Sequence, residues 1–153
     1  MKTAAPYGAF VIVNDRVDLA RMSGAAGAHV GQDDLDPAPT RALLGEAAIL
    51  GLSTHTVLQI DQALAEPISY LAVGPVFGTR TKETGYDAVG LDLVKKAAQL
   101  AGLVPVVAIG GITLDNAASA IAAGATSVAV ITDLLATGDP KGRIADYLER
   151  LGQ

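Results

Sequence analysis

The sequence has 153 residues and contains no cysteine, and aromatic residues make up only 4% of it. Without cysteine the chain forms neither disulfides nor thiolate metal sites. Half of the residues are hydrophobic, yet no apolar run reaches the roughly 18 residues that a membrane-spanning helix needs. The first ten residues also lack the apolar stretch of a secretory signal. We therefore expect no membrane association and a reducing, cytoplasmic location.

Basic residues are few, and this limits the kinds of partner that the chain can bind. Eleven Lys and Arg face sixteen Asp and Glu, which gives a net charge of -5. An acidic surface repels a phosphate backbone, so a nucleic-acid partner is not expected. A small phosphorylated ligand would need a local reversal of charge, supplied by a basic loop, helix N-termini or a metal ion.

One unit recurs along the chain: a short β-branched run, a turn, and an alanine-rich helical stretch. Such alternation predicts an α/β fold built from parallel βα units, and the absence of a linker predicts one domain over residues 1–153. About six units fit an open doubly wound sheet or part of a barrel, since a complete eightfold barrel takes roughly 200 residues or more. The predicted strands are 9–14, 27–31, 48–53, 70–77, 104–111 and 127–132, and the predicted helices are 17–23, 39–44, 57–65, 91–101, 114–123 and 141–151.

Several residues are typical of helix ends. Thr113 precedes an alanine-rich stretch that it can cap, and Asp139 before Pro140 is typical of a cap followed by the first helical residue. Glycine occurs where a left-handed residue can end a helix, at Gly45, Gly102 and Gly124.

Polar residues follow the predicted strands at the point where each strand ends. Because the carboxyl ends of parallel strands lie at the same edge, these residues are expected to meet at one rim, where ligands bind in such folds. The groups are 14–15, 32–34, 53–55, 79–82, 110–111 and 132–133.

Asp15 and Asp34 come one βα unit apart, so they are expected on neighbouring strand ends. Carboxylates at that spacing suit Mg²⁺, which takes a few carboxylates together with phosphate oxygens. Both could instead be helix N-caps, a common role for Asp after a strand. The residues alone leave these two interpretations equally open.

The stretch Thr79-Arg80-Thr81-Lys82 concentrates two hydroxyls and two cations in an acidic chain. Hydroxyl donors and an ammonium suit a phosphate or pyrophosphate, although a solvated surface turn has the same composition. The glycine pair Gly110-Gly111 is typical of a turn that binds anions through backbone amides. The loops together favour phosphate binding more than any of them does alone.

The two histidines have different positions in the pattern. His29 lies inside a predicted strand, where a structural role is favoured over a functional one. His55 follows a strand end, so it could orient a ligand or exchange protons, or serve as hydrogen-bonded scaffold.

Six segments, VNDRVDLA, HVGQDDL, GLSTHT, VGPVFGTRTK, VVAIGGIT and VAVIT, resemble thiamine phosphate synthase in their order and spacing. The resemblance implies a (βα)₈ barrel of the TIM type, here reduced to about six strands. It implies an enzyme that joins a pyrimidine diphosphate to a thiazole phosphate and releases pyrophosphate with the help of Mg²⁺.

The resemblance also implies roles for individual residues. Asp15 and Asp34 would hold the metal, and Ser53 would lie at the reacting centre together with Lys82. His55 would transfer a proton if the chain were instead a related thiazole tautomerase. Substrate contacts are implied for Asn14, Thr79, Thr81, Lys82, Gly111, Ile131 and Thr132.

The chain departs from the family pattern at its start. The resemblance begins at the family's third strand, and the family's Gln-x-Arg-x-Lys motif, which grips pyrophosphate, is absent from the sequence. A non-catalytic phosphate-binding or scaffold fragment is therefore an alternative. Unpaired strand edges are aggregation-prone, so we expect the chain to form a homo-oligomer or to close into a smaller barrel.

Overall fold

The computed structural model describes residues 2–78 and 87–152. Its strands form one six-stranded sheet in the order β1-β2-β3-β4-β5-β6, and every neighbouring pair is parallel. The strands are β1 Ile12–Asn14, β2 Gly27–Val30, β3 Ile49–Thr54, β4 Tyr70–Val73, β5 Val106–Ile109 and β6 Ser127–Ala129. The helices are α1 Val17–Ser23, α2 Pro37–Leu44, α3 Val57–Leu64, α4 Gly90–Leu100, α5 Ala117–Ala122, α6 Thr132–Leu135 and α7 Pro140–Leu151, after a 3-10 turn at Ala5–Tyr7.

The sheet has the sequential parallel order of a barrel wall, as predicted, but it remains open. Within the described ranges β1 pairs only with β2, and β6 pairs only with β5. The architecture is therefore an incomplete barrel of six strands, and the alternative of a smaller closed barrel is wrong for this structure.

The core consists of small aliphatic side chains, as the composition indicates. The largest fully buried side chains include Leu50, Leu71 and Ile60. Alanine occupies buried positions on the helices, which lets their backbones approach the sheet closely. The buried helical alanines are Ala20, Ala63, Ala97, Ala117 and Ala120.

One helix prediction and one strand prediction need correction in the carboxyl-terminal part of the chain. Helix α5 begins at Ala117 and not directly after Thr113, because residues 114–116 form a turn in which the Asn116 and Ala117 N–H groups both donate to the Thr113 carbonyl, at 3.1 Å and 2.9 Å. The predicted sixth strand, 127–132, is too long: β6 ends at Ala129, and Thr132, its predicted last residue, is instead the first residue of helix α6. The predicted cap at Asp139 is confirmed, since its carboxylate accepts the Gly142 N–H at 3.0 Å.

A buried arginine joins the loops at the end of the sheet opposite the strand carboxyl ends. Arg41 is 8% exposed and lies on α2. Its guanidinium donates to the backbone carbonyls of Ala48 at 2.6 Å and Pro67 at 2.9 Å, and to the Ser69 hydroxyl at 3.1 Å. The planar fork thus connects α2 to the chain entering β3 and β4.

None of the helices in the described ranges has both the length and the apolar character needed to cross a membrane.

Candidate active site

The loops at the carboxyl ends of the strands enclose one large cavity of about 790 Å³. Residues from the ends of all six strands line it. The predicted site residues on its wall are Asn14, Asp15, Asp34, Ser53, His55, Gly111, Ile131 and Thr132. The predicted residues Thr79, Thr81 and Lys82 lie outside the described residues.

Asp15 and Asp34 are not helix caps, so the alternative interpretation of both residues is wrong. Helix α1 has Arg16 at its N-cap position, and α2 has Asp36. Asp15 adopts a left-handed backbone with φ 61°, and its N–H donates to the His29 carbonyl at 2.8 Å. This conformation is uncommon for a non-glycine residue, which is consistent with a functional constraint on its side chain.

The carboxylates of Asp15 and Asp34 suit a magnesium ion whose other ligands are waters and phosphate oxygens. Oδ2 of Asp34 accepts the Gly31 N–H at 2.7 Å, which ties the carboxylate to its own loop. In residues 2–78 and 87–152 no group of three or more Asp, Glu or His side chains could hold a metal. Mg²⁺ in phosphate sites is commonly bound by one or two carboxylates together with waters and phosphate oxygens, so a pair of acidic residues fits this ion.

Ser53 is reached by two polar side chains from β2 and the loop that follows it. The Nε2 atom of His29 lies 2.8 Å from Oγ of Ser53, and Nε2 of Gln32 donates to the Ser53 carbonyl at 2.7 Å. His29 therefore faces the cavity and contacts a predicted catalytic residue, a position that the strand pattern alone left undecided.

His55 is held at the rim through both its backbone and its ring. Its N–H donates to Oε1 of Gln59 at 2.7 Å, and its Nδ1 forms a short hydrogen bond to the Gly74 carbonyl. A carbonyl only accepts, so Nδ1 carries the proton in this contact and Nε2 is the basic nitrogen of the neutral ring.

Gly111 lies where the loops after β4 and β5 meet. Its backbone is left-handed at φ 65°, and a Cβ atom there would lie 2.6 Å from the Gly78 carbonyl oxygen. Nδ2 of Asn116 donates to the Gly111 carbonyl at 3.0 Å and so braces the turn. Only glycine fits at this position, because both the backbone angle and the close approach exclude a side chain.

Asp133 joins the cavity wall to the last helix. Its carboxylate accepts hydrogen bonds from the Tyr147 hydroxyl at 2.6 Å and from Nε of Arg143 at 2.9 Å. It also accepts the Leu114 N–H at 3.3 Å, which connects it to the loop after β5. The Asp133 carboxylate therefore connects the segment after β6, the loop after β5 and helix α7.

The ionisation of Asp133 and Tyr147 reflects this link. Burial alone would raise the pKa of Asp133, but the hydrogen bonds from Tyr147 and Arg143 outweigh it and hold the pKa below its ordinary value. Burial and the hydrogen bond to Asp133 raise the pKa of Tyr147. The pair is thus stable as a carboxylate and a neutral phenol at neutral pH.

Residues 1–134 match the family model described as thiamine monophosphate synthase. The chain belongs to the thiamine monophosphate synthase family. It is 44% identical over 151 residues to the thiamine-phosphate synthase of Koribacter versatilis, covering 99% of this chain and 70% of that relative. It is 46% identical over 147 residues to the thiamine-phosphate synthase of Gloeobacter violaceus, covering 96% of this chain and 42% of that relative.

A solved structure supports the same placement. Thiamine phosphate pyrophosphorylase from Pyrococcus furiosus superposes with a TM-score of 0.89 and 27% identity, covering 99% of this chain and 71% of that one. The chain thus spans about seven tenths of two family relatives and less than half of the Gloeobacter protein.

The sequence pattern missed two contributors to the site, Tyr70 as the partner of His29 and Asn116 as the brace of Gly111, and it placed Asp133 at the rim without indicating its contact with α7. A signal existed for the first of these. Glycine inside a strand, as in Gly51 of β3, often marks a place where neighbouring groups approach closely.

Proposed function

We propose that this chain carries out the thiamine phosphate synthase reaction, in which a hydroxymethylpyrimidine diphosphate and a thiazole phosphate combine and pyrophosphate leaves. Membership of the family supports this proposal. The observation that carries it is that two carboxylates, a serine and a glycine turn from four different strand ends line the same cavity. Such a cavity can hold two phosphorylated molecules side by side.

In the reaction the bond between the pyrimidine methylene and the diphosphate oxygen breaks, and the thiazole nitrogen forms a new bond to the methylene carbon. Electrons of the broken bond leave with pyrophosphate, so negative charge grows on the leaving group. The protein must stabilise that charge and hold the thiazole in line with the methylene.

The diphosphate end of the cavity is assigned to β1 and β2. Asp15 and Asp34 would hold Mg²⁺, and Asn14 would donate its amide to the diphosphate. When bound, the ion neutralises charge on the leaving group. Ser53, on the neighbouring strand β3, would contact the departing diphosphate as a hydroxyl donor.

The thiazole phosphate end is assigned to the loops after β5 and β6. Gly111, Ile131 and Thr132 line this part of the cavity. The glycine turn brings backbone close to a bound phosphate, and Thr132 adds a hydroxyl donor. Lys82 would complete the diphosphate site, and Thr79 and Thr81 would bind the thiazole substrate's acidic end; these three roles follow from the family resemblance.

His55 supports a second candidate function, a thiazole tautomerase. Its Nδ1 proton is donated to the Gly74 carbonyl, so Nε2 is the basic nitrogen of the neutral ring. His55 lines the cavity. A base in this place could move a proton on a bound thiazole phosphate. That reaction needs no diphosphate site, so Asp15 and Asp34 favour the synthase.

We further propose that a second copy of the chain covers the open edges of the sheet. Strands β1 and β6 each have one neighbour in the described ranges, and Phe10 beside β1 is 74% exposed. Light scattering of the purified chain should show an oligomer, and a monodisperse monomer would contradict this part of the proposal. The charged substrates are retained by membranes, so the cytoplasm is the proposed place of the reaction.

Calorimetric titration and product analysis test the proposed function. Thiazole phosphate is titrated alone, pyrimidine diphosphate is titrated with Mg²⁺, and a mixture of all three is analysed for thiamine phosphate. Binding of both substrates with product formation supports the synthase. Isomerisation of a thiazole phosphate without use of the diphosphate supports the tautomerase, and binding without any turnover supports a phosphate-binding fragment.

A further inference from the structure

Tyr70, His29 and Ser53 form a continuous line of side-chain hydrogen bonds that ends at the cavity. The Tyr70 hydroxyl lies 2.9 Å from Nδ1 of His29, and Nε2 of His29 lies 2.8 Å from Oγ of Ser53. The rings of Tyr70 and His29 stack with their centroids 5.5 Å apart. Both ring nitrogens of His29 therefore have a hydroxyl partner.

Gly51 makes this line possible. In the sheet register His29 lies opposite Gly51, and Gly51 lies opposite Tyr70, so the three residues form a row across β2, β3 and β4. A Cβ atom on Gly51 would lie 2.1 Å from Cζ of Tyr70 and 2.4 Å from Nδ1 of His29. The two rings meet across β3 because the residue between them has no side chain.

The two hydroxyls differ as hydrogen-bond donors, and this difference sets the direction of the line. A phenol is more acidic than an aliphatic alcohol, so its O–H is the stronger donor and its oxygen the weaker acceptor. Burial also raises the pKa of Tyr70, which keeps the phenol protonated. Tyr70 is thus expected to donate to Nδ1, which places the neutral ring's proton on Nε2, from where it is donated to Ser53.

We propose that Tyr70 is a positioning residue that holds His29 as the Nε2–H tautomer, so that the Ser53 hydroxyl proton is directed into the cavity. The inference rests on the proposed function, in which Ser53 donates to the oxygen of a departing diphosphate. With the proton on Nδ1, the Ser53 O–H would turn toward Nε2 and present lone pairs to the anion. Hydrogen bonds in such a chain polarise and reinforce one another.

Nitrogen NMR of the ring tests the inference directly. The chain contains two histidines, so ¹⁵N-histidine labelling gives two ring systems, and a His55→Gln variant assigns them. Protonated and bare ring nitrogens have well-separated ¹⁵N shifts. At a pH where the rings are neutral, wild-type His29 should show a protonated Nε2 and a bare Nδ1. In Tyr70→Phe, which keeps the stacked ring and removes the donor, the Nδ1–H form should become substantially populated.

Steady-state kinetics give the second measurement. Tyr70→Phe should lower kcat about fivefold to tenfold and leave KM for both substrates within about twofold, because the lost interaction acts on the leaving group and not on binding. Tyr7→Phe is the matched control, since Tyr7 is 85% exposed and lies away from the cavity. Its kinetics and its histidine spectrum should equal those of the wild type.

Each outcome decides the inference. A wild-type His29 with its proton on Nδ1 overturns it, and so does an unchanged tautomer in Tyr70→Phe, even if kcat falls. If the wild type makes no thiamine phosphate, the proposed function fails separately, while the wild-type and variant spectra still decide whether Tyr70 sets the tautomer.

Discussion

The Tyr147 hydroxyl donates to the Asp133 carboxylate across 2.6 Å, and through this bond helix α7 holds one wall of the cavity. Arg143 adds two further hydrogen bonds from the same helix. The carboxylate is 13% exposed on its side chain, so these contacts form in a largely buried setting. The last helix of the chain thus supports the loops assigned to the thiazole phosphate.

We expect Tyr147→Phe to destabilise the fold and to flatten its acid dependence. A carboxylate with a lowered pKa stabilises the native state above its unfolded pKa of about 3.9, and this contribution is lost as pH falls through the folded value. Removing the phenol moves the pKa of Asp133 back up. Urea unfolding should show a loss of about 1.5–3 kcal/mol at pH 7 and a smaller difference below pH ~4. Equal losses at both pH values would contradict this account; Tyr7→Phe is the control.

We expect Asp34→Asn to abolish Mg²⁺-dependent diphosphate binding while thiazole phosphate affinity stays within about twofold of the wild type. Asparagine keeps an oxygen that can accept the Gly31 N–H, so the loop retains its hydrogen bond and only the charge is removed. Calorimetry with each ligand measures both effects. Asp61→Asn on the exposed face of α3 is the control, and an equal loss of both affinities would rule out the assigned role.

We expect Gly111→Ala to weaken binding of thiazole phosphate and not of the diphosphate, which is the reverse of the effect expected for Asp34→Asn. A Cβ atom would meet the Gly78 carbonyl oxygen at 2.6 Å at a residue with φ 65°, so the turn must move. Thiazole phosphate affinity should fall at least about tenfold, with diphosphate binding nearly unchanged. Gly24→Ala is a matched control, because it has the same φ of 65° with nothing within 4 Å of a Cβ. If Gly24→Ala lowers the affinity for thiazole phosphate as much as Gly111→Ala does, the contact with the Gly78 carbonyl is not the cause of the loss.

We expect Arg41→Met to lower the free energy of unfolding by about 3 kcal/mol, because buried carbonyl groups lose their donor. Arg41→Lys should recover less than half of this loss, since an ammonium lacks the planar fork that reaches several acceptors. Arg150→Met, on the exposed part of α7, should change stability little. Chemical denaturation measures all three, and a full recovery by lysine would contradict the fork argument.

The repeat of strands and helices was predictable from the sequence because each element has a local signal. Helix α1 has the predicted bounds, since its apolar positions Val17 and Ala20 are three residues apart and Gly24 follows in the left-handed region. Helix α6 could not be predicted, because its first residue continues a β-branched run. The strand ends at Ala129, which pairs with Ile109 at the end of β5. Gly110 and Gly111 then leave the extended conformation with φ of 92° and 65°, so residues 130–132 have no extended neighbour on that side.

The sequence by itself was enough to predict the six βα units, because each strand and helix has a local hydrophobic pattern. It was also enough to give the acidic character and to indicate the family, because the family's motifs follow one another in a fixed order along the chain. Which side chains touch was decided only in three dimensions. The contact of Tyr70 with His29 depends on the register of three strands and on the absence of a side chain at Gly51. Asp133 likewise meets Tyr147 only because α7 packs back against the loops, and no spacing in the sequence encodes that contact.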